Sequence, residues 1–177
     1  MTTFIAFLRG INVGGRIVKK EKLQEAFKSL GFQNVVTYKQ SGNVIFKAAF
    51  ADTNEFKARI EDKLRSLLGY DVAVFTRTIP QFKGIIEQDP FKSQEKEGAS
   101  FMVTMLPSAV PEFPLKLPLT IPRSTAKVIS AWSAEVFSVT HGGGEGALPN
   151  AFLESKLKAK ATTRNMNIIR EIVEKYG

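Results

Sequence analysis

Residues 3–9 (TFIAFLR) form an apolar, β-rich run that stops at Gly10, a pattern that predicts a buried strand. Leu23, Phe27 and Leu30 then recur at helical spacing, predicting a helix from about Lys20 to Leu30 with Gly31 as its C-terminal stop. Two strands should follow, Asn34 to Lys39 and Asn43 to Ala48, separated by the turn residues Ser41 and Gly42. Phe56, Ile60, Leu64 and Leu67 repeat at helical spacing behind a cap at Asp52 or Thr53, and Gly69 closes that helix before a strand at Val72 to Arg77. The order is βαββαβ, the split-βαβ or ferredoxin-like arrangement, with one antiparallel sheet and both helices on one face. In the first strand Phe4, Ala6 and Leu8 alternate with Ile5 and Phe7, so both faces are apolar and the open one needs a cover.

The second half echoes the first loosely. Its pattern predicts a helix near Ile79 to Gln88, a strand at Ala99 to Leu106 and a hairpin pairing roughly Lys127 to Ala131 with Val136 to Thr140. Helices near Leu148 to Lys158 and Asn165 to Tyr176 complete it. Residues 107–122 hold five of the eight prolines, which excludes a regular helix and marks a long, extended connection. The fold class is therefore α+β with mainly antiparallel sheets. We expect an N-terminal ferredoxin-like subdomain over 1–77 and a C-terminal α+β subdomain over 78–177 packed on it.

With 177 residues and 44% hydrophobic content, the chain is large enough for a well-buried core. No stretch approaches the roughly 20 apolar residues needed to cross a bilayer, and the apolar start lacks a signal-peptide pattern, so no membrane association and a cytoplasmic location are expected. The absence of cysteine and the single histidine exclude a disulfide frame, a thiol nucleophile and the common thiolate or imidazole metal clusters. We expect no metal and no cofactor. The net charge of +8 is unevenly spread: residues 1–50 carry eight basic and two acidic side chains, residues 151–177 six and three, and the middle hundred eleven and twelve. Positive charge thus collects at the two ends, where it would form one basic surface if they approach each other.

Three polar stretches could carry chemistry. The first is LRGINVGG at 8–15, leading into Arg16. Its glycine spacing matches a phosphate-binding P-loop, but Arg16 and Ile17 stand where Lys and Ser/Thr belong, so the triphosphatase reading fails. What survives is a nest of backbone N–H groups at a helix start, from Gly10, Asn12, Gly14 and Gly15, with Arg9, Arg16, Lys19 and Lys20 nearby. Glycines that merely permit a tight turn are the plainer explanation. The second is QSGN at 40–43, a hairpin turn in which Gln40, Ser41 and Asn43 would add neutral hydrogen-bonding groups. The third is TTRN at 162–165: Thr163 suits an N-cap of the last helix, with Arg164 and Asn165 in its first turn. A fourth, HGGGEG at 141–146, joins His141 and Glu145 but lacks a nucleophile at elbow spacing and reads as a flexible connection. None of the first three holds a group that titrates near neutrality, so they suit holding a ligand better than moving its protons.

The chain resembles the bacterial domain of unknown function 1697 family. The residues that carry the resemblance are LRGINVGG at 8–15, the YxQSGNVIF run from Tyr38 to Phe46 and the closing TTRN-x-N from Thr162 to Asn167. The resemblance implies two related ferredoxin-like subdomains and no established activity. Arg9, Asn12, Arg164 and Asn165 match its pattern; Met166 and Ile168 stand where it usually has tryptophan and threonine, and ESKL is displaced to 154–157.

Three function classes follow. The first is an anion-binding protein in which the opening loop, the QSGN turn and the TTRN segment form one basic cleft for a phosphate-bearing metabolite, a nucleotide or a nucleic acid. The second is an enzyme acting on such a ligand, with His141 or Glu145 brought in. The third is an interaction module whose motifs only shape turns.

Overall fold

The computed structural model describes all residues except 13, 15, 16, 40, 41, 50–52, 96 and 143–147, and only the backbone of Thr53 and Asn54. The chain divides into two compact units, Met1–Lys83 with Lys175–Gly177, and Gly84–Glu174. Both contain an antiparallel sheet, so the architecture is α+β.

In the first unit the elements run β1 (Thr2–Leu8), α1 (Lys20–Lys28), β2 (Gln33–Tyr38), β3 (Asn43–Ala48), α2 (Thr53–Leu68) and β4 (Val74–Thr78), and the sheet order is β2-β3-β1-β4. β1 and β3 lie centrally because both carry apolar side chains on both faces. β1 pairs β3 with Phe4 opposite Phe46 and Ala6 opposite Val44, and β4 with Leu8 opposite Val74. Phe4, Ala6, Leu8, Val44 and Phe46 therefore share one face, which is covered by Leu23 and Phe27 of α1 and by Phe56, Ile60 and Leu64 of α2. Phe4 stacks on Phe46 at 5.6 Å between ring centroids and meets Phe56 edge-on at 4.9 Å. Each ring buried here contributes about 1.5–3 kcal/mol of transfer free energy. On the opposite face Ile5, Phe7, Ile45 and Phe75 are buried as well. Phe82 of α3 (Ile79–Gln88) meets Phe7 edge-on at 5.7 Å, so that helix supplies part of the cover the open face requires.

The second unit holds β5 (Ala99–Met105), β6 (Leu119–Thr120), β7 (Ala126–Trp132), β8 (Glu135–His141), α4 (Asn150–Leu157), β9 (Thr162–Asn165) and most of α5 (Met166–Tyr176), with sheet order β6-β7-β8-β5-β9. The proline-rich connection contributes the short edge strand β6, whose Leu119 pairs with Val128. Phe113 and Leu117 of the same connection pack on a core of Leu106, Val128, Val136, Leu153 and Ala161. A long extended segment is held in place this way, without a helix.

The TTRN segment departs from its sequence expectation. Thr163 does not cap the last helix, and Arg164 and Asn165 do not lie in its first turn: all three belong to β9, with Thr163 opposite Thr104, Arg164 opposite Val103 and Asn165 opposite Met102 on β5. The cap lies two residues further on, where the side-chain oxygen of Asn165 accepts the Asn167 backbone N–H at 2.8 Å. Consecutive β-branched threonines favour an extended backbone, and β5 offers them a ladder.

Candidate functional site

The polar loop after β1 is built by a few fixed points. The Arg9 N–H donates to the Ala73 carbonyl at 2.9 Å, and Gly10 then turns the chain with φ +76°. Ile11 is buried in the helix-side core, while Asn12 adopts φ +58°, a left-handed conformation that asparagine tolerates better than most residues. Its Oδ1 accepts the Val18 N–H at 2.7 Å, and Val18 is buried again. Ile11 and Val18 thus anchor the two ends of a loop whose neck is closed by Asn12.

The hairpin turn docks against the start of this loop. The Leu8 N–H donates to the Gly42 carbonyl at 2.8 Å. Gly42 has φ +71°, and a Cβ there would stand 3.0 Å from the Leu8 carbonyl oxygen and 3.3 Å from the Leu8 Cβ. Only glycine fits that approach without displacement. Asn43, fully buried beside it, donates from Nδ2 to the Tyr38 carbonyl at 3.4 Å.

Between loop, hairpin and the start of α1 lies a cavity of about 670 Å³. Asn12, Gly42 and Asn43 line it together with Lys19, Lys20, Lys39, Thr37, Glu21, Ile17, Val18 and Leu23. Three lysines face one glutamate, and Lys20 and Glu21 lie 3.8 Å apart. The first turn of α1 opens at the same place. Lys19 precedes the helix with extended backbone and gives no side-chain cap, so the leading N–H groups carry the positive end of the helix dipole. Lys39 sits with Nζ 5.5 Å from the centre of the Tyr38 ring. The cavity can hold an anion by charge and backbone donors; it contains no histidine and no thiol.

Of the residues singled out from sequence, Asn12 and Asn43 therefore meet in one cavity. Arg9, Gly10 and Gly14 shape the loop outside its lining, with Gly14 exposed at φ +58°. Gly15, Arg16, Gln40, Ser41 and Glu145 lie outside the described residues. Sequence reasoning missed Lys39, Thr37 and Gly42's close approach. Thr37 lies on β2, whereas Lys39 follows that strand with φ +52°, so strand alternation in the sequence does not point to it.

Thr163, Arg164 and Asn165 belong to the second unit. The Thr163 hydroxyl donates to Asn150 Oδ1 in a very short contact and lies 2.7 Å from the Thr104 hydroxyl, which must then be the donor to it. Arg164 Nη1 donates to Thr162 Oγ1 and to the Thr163 carbonyl, both at 2.9 Å. Burial pushes the Arg164 guanidinium well below its ordinary value, to about 10. It stays charged at neutral pH. His141 ends β8 opposite Ala99 and is exposed. Among the described residues there is no group of three or more His, Cys, Asp or Glu able to hold a metal ion, and no helix long and apolar enough to cross a membrane.

A family model described as protein of unknown function (DUF1697) matches residues 1–135. The chain belongs to that family. The DUF1697 match includes the loop, the hairpin and every residue of the cavity, and ends before β9. No curated protein matches the chain. Among solved structures it is similar to the conserved bacterial protein SP0830 from Streptococcus pneumoniae, with TM-score 0.68 and 18% identity over 99% of this chain and 98% of that one. At that identity the likeness concerns the fold alone.

Proposed function

We propose that the first unit binds an anionic, phosphate-bearing ligand in the cavity between the β1–α1 loop and the β2–β3 hairpin. The observation that carries this reading is the convergence of Lys19, Lys20 and Lys39 on one cavity at the uncapped start of α1. Backbone N–H groups at a helix start and ammonium groups around them complement a phosphate in both charge and hydrogen bonding. Asn12 closes the neck of the loop beside the site, and Gly42 lets the hairpin close against it. Arg9, Gly10 and Gly14 shape that loop. Thr163, Arg164 and Asn165 serve the second unit's own structure. Binding is the favoured activity, because the described lining is dominated by ammonium and amide groups and its one carboxylate, Glu21, lies against Lys20.

We also read both units as ferredoxin-like variants. In support, β9-β5-β8-β7 repeats the connectivity of β4-β1-β3-β2, with the proline-rich connection standing where the first unit has α1.

Isothermal titration with pyrophosphate at low ionic strength tests the binding proposal. Each lysine contributes about 0.3–1 kcal/mol at an exposed site, so Lys19→Ala, Lys20→Ala and Lys39→Ala combined should weaken binding by roughly 10- to 100-fold. Equal binding by wild type and triple variant, or no binding by either, removes the proposal. If the physiological ligand is a nucleic acid, three phosphate contacts give a log–log salt slope near −2 to −3.

A further inference from the structure

The cavity is larger than a bare phosphate needs, and its lining is of mixed chemistry. At about 670 Å³ it falls in the range of sites for whole organic ligands, roughly 300–1,000 Å³. Lys19, Lys20 and Lys39 make one part of its lining basic. Ile17, Val18 and Leu23 make another part apolar, and they differ among themselves in an informative way. Val18 and Leu23 are buried core residues that only show an edge, whereas the Ile17 side chain is 84% exposed. A large aliphatic group standing in solvent beside a basic cavity offers contact surface that the protein does not use itself.

The third component of the lining is neutral and polar, from Asn12, Thr37 and Asn43. Asn43 is buried with its amide on the Tyr38 carbonyl, but Asn12 and Thr37 are only half-buried, and an alkyl chain laid across those two would strip their hydration and return no hydrogen bond. A heteroaromatic base on a sugar covers apolar surface with its face and offers donors and acceptors at its edge. We infer, building on the anion-binding reading, that the ligand is a nucleoside 5′-phosphate, with its phosphate at the lysines and the start of α1 and its base against Ile17.

The test uses the full-length protein and four probes measured by equilibrium titration: inorganic phosphate, ribose 5-phosphate, adenosine 5′-monophosphate and hexyl phosphate. Adenosine 5′-monophosphate should bind at least tenfold more tightly than ribose 5-phosphate, and hexyl phosphate no better than ribose 5-phosphate. Because Ile17 is exposed, Ile17→Ser should leave the circular dichroism spectrum and the melting temperature unchanged. It should weaken adenosine 5′-monophosphate by about five- to tenfold, the worth of a partly covered aliphatic side chain, and leave ribose 5-phosphate within about twofold. Equal affinity for the nucleotide and the sugar phosphate, with no effect of Ile17→Ser, overturns the base subsite while the anion reading stands. Tighter binding of hexyl phosphate than of the nucleotide overturns it in favour of an apolar tail. Failure of all four probes removes both proposals together.

Discussion

Replacing Gly42 with alanine tests whether the hairpin's approach to β1 is what assembles the candidate site. Two costs add at this position. The backbone has φ +71°, where an L side chain is disfavoured by about 1–2 kcal/mol. The new methyl would also stand 3.0 Å from the Leu8 carbonyl oxygen and 3.3 Å from the Leu8 Cβ, and both belong to a buried strand. Moving either group by a few tenths of an ångström disturbs the 2.8 Å bond from the Leu8 N–H to the Gly42 carbonyl, worth about 1 kcal/mol. The total should reach about 2–3 kcal/mol.

Gly10 supplies the control, since it has φ +76° and a methyl group added there would meet nothing within 4 Å. Gly10→Ala should therefore show the backbone cost alone, about 1–2 kcal/mol. Urea unfolding followed by far-ultraviolet circular dichroism measures both variants, and with slopes of about 1–3 kcal/mol per molar the two midpoints should be clearly separated. Pyrophosphate affinity should fall in Gly42→Ala, because Gly42 and Asn43 line the cavity. Equal destabilisation by the two substitutions would refute the argument from close approach, and unchanged affinity in Gly42→Ala would refute its link to the site.

Asn12→Gly keeps the left-handed backbone and loses the side-chain bond to the Val18 N–H, costing about 1 kcal/mol, whereas Asn12→Ala adds backbone strain and should cost about 2–3 kcal/mol by urea unfolding. Thr163→Val strands both the Thr104 hydroxyl and Asn150 Oδ1 and should cost about 1–3 kcal/mol, while Thr104→Val leaves the bond to Asn150 intact and should cost less; melting temperatures rank the pair. Burial lowers the Arg164 pKa to about 10, below its value in the unfolded chain, so between the two the unfolded chain binds more protons and this group's contribution to stability rises with pH there. Relative to Arg164→Met, the wild type should gain about 1 kcal/mol between about pH 9 and about pH 11 in urea unfolding, and a flat difference would contradict the buried charge.

Elements with long, regular periodicity were legible from sequence, and those that depend on distant partners were not. β3 and α3 occupy the residues predicted for them, Asn43–Ala48 and Ile79–Gln88, because Ser41-Gly42 in the sequence precedes the one and Asp89-Pro90 follows the other. β4 begins at Val74, two residues later than predicted: Val72 is apolar and buried, yet the register with β1 opens only at Val74 opposite Leu8. α4 begins at Asn150 and not at Leu148, where Pro149 intervenes. β9 was unreadable because Thr and Asn before an amphipathic helix carry the same local signature as a cap. Its identity as a strand comes from β5, some 60 residues upstream. At the site, Asn12 and Asn43 were found through their glycine-rich surroundings, but Lys39 and Ile17 join the cavity only because Gly42 brings the hairpin to the loop.

The same dependence on connections decides where a binding site can arise in the two sheets. Both start from a central strand flanked in the same order, β1 between β3 and β4, and β5 between β8 and β9. After β1 the chain enters a left-handed turn at Gly10 and Asn12 and then a helix whose leading N–H groups have no side-chain cap. After β5 it enters residues 107–122, where proline after proline removes backbone donors and forbids a helix start. Among the described residues, no helix starts between β5 and β7, so the connection after the second central strand presents no helix dipole. The second sheet uses its polar side chains internally, in the chain from Thr104 through Thr163 to Asn150. Strand order alone is neutral about function; the difference between the proposed ligand site and a structural hydrogen-bond network lies in what the first connection presents at its end.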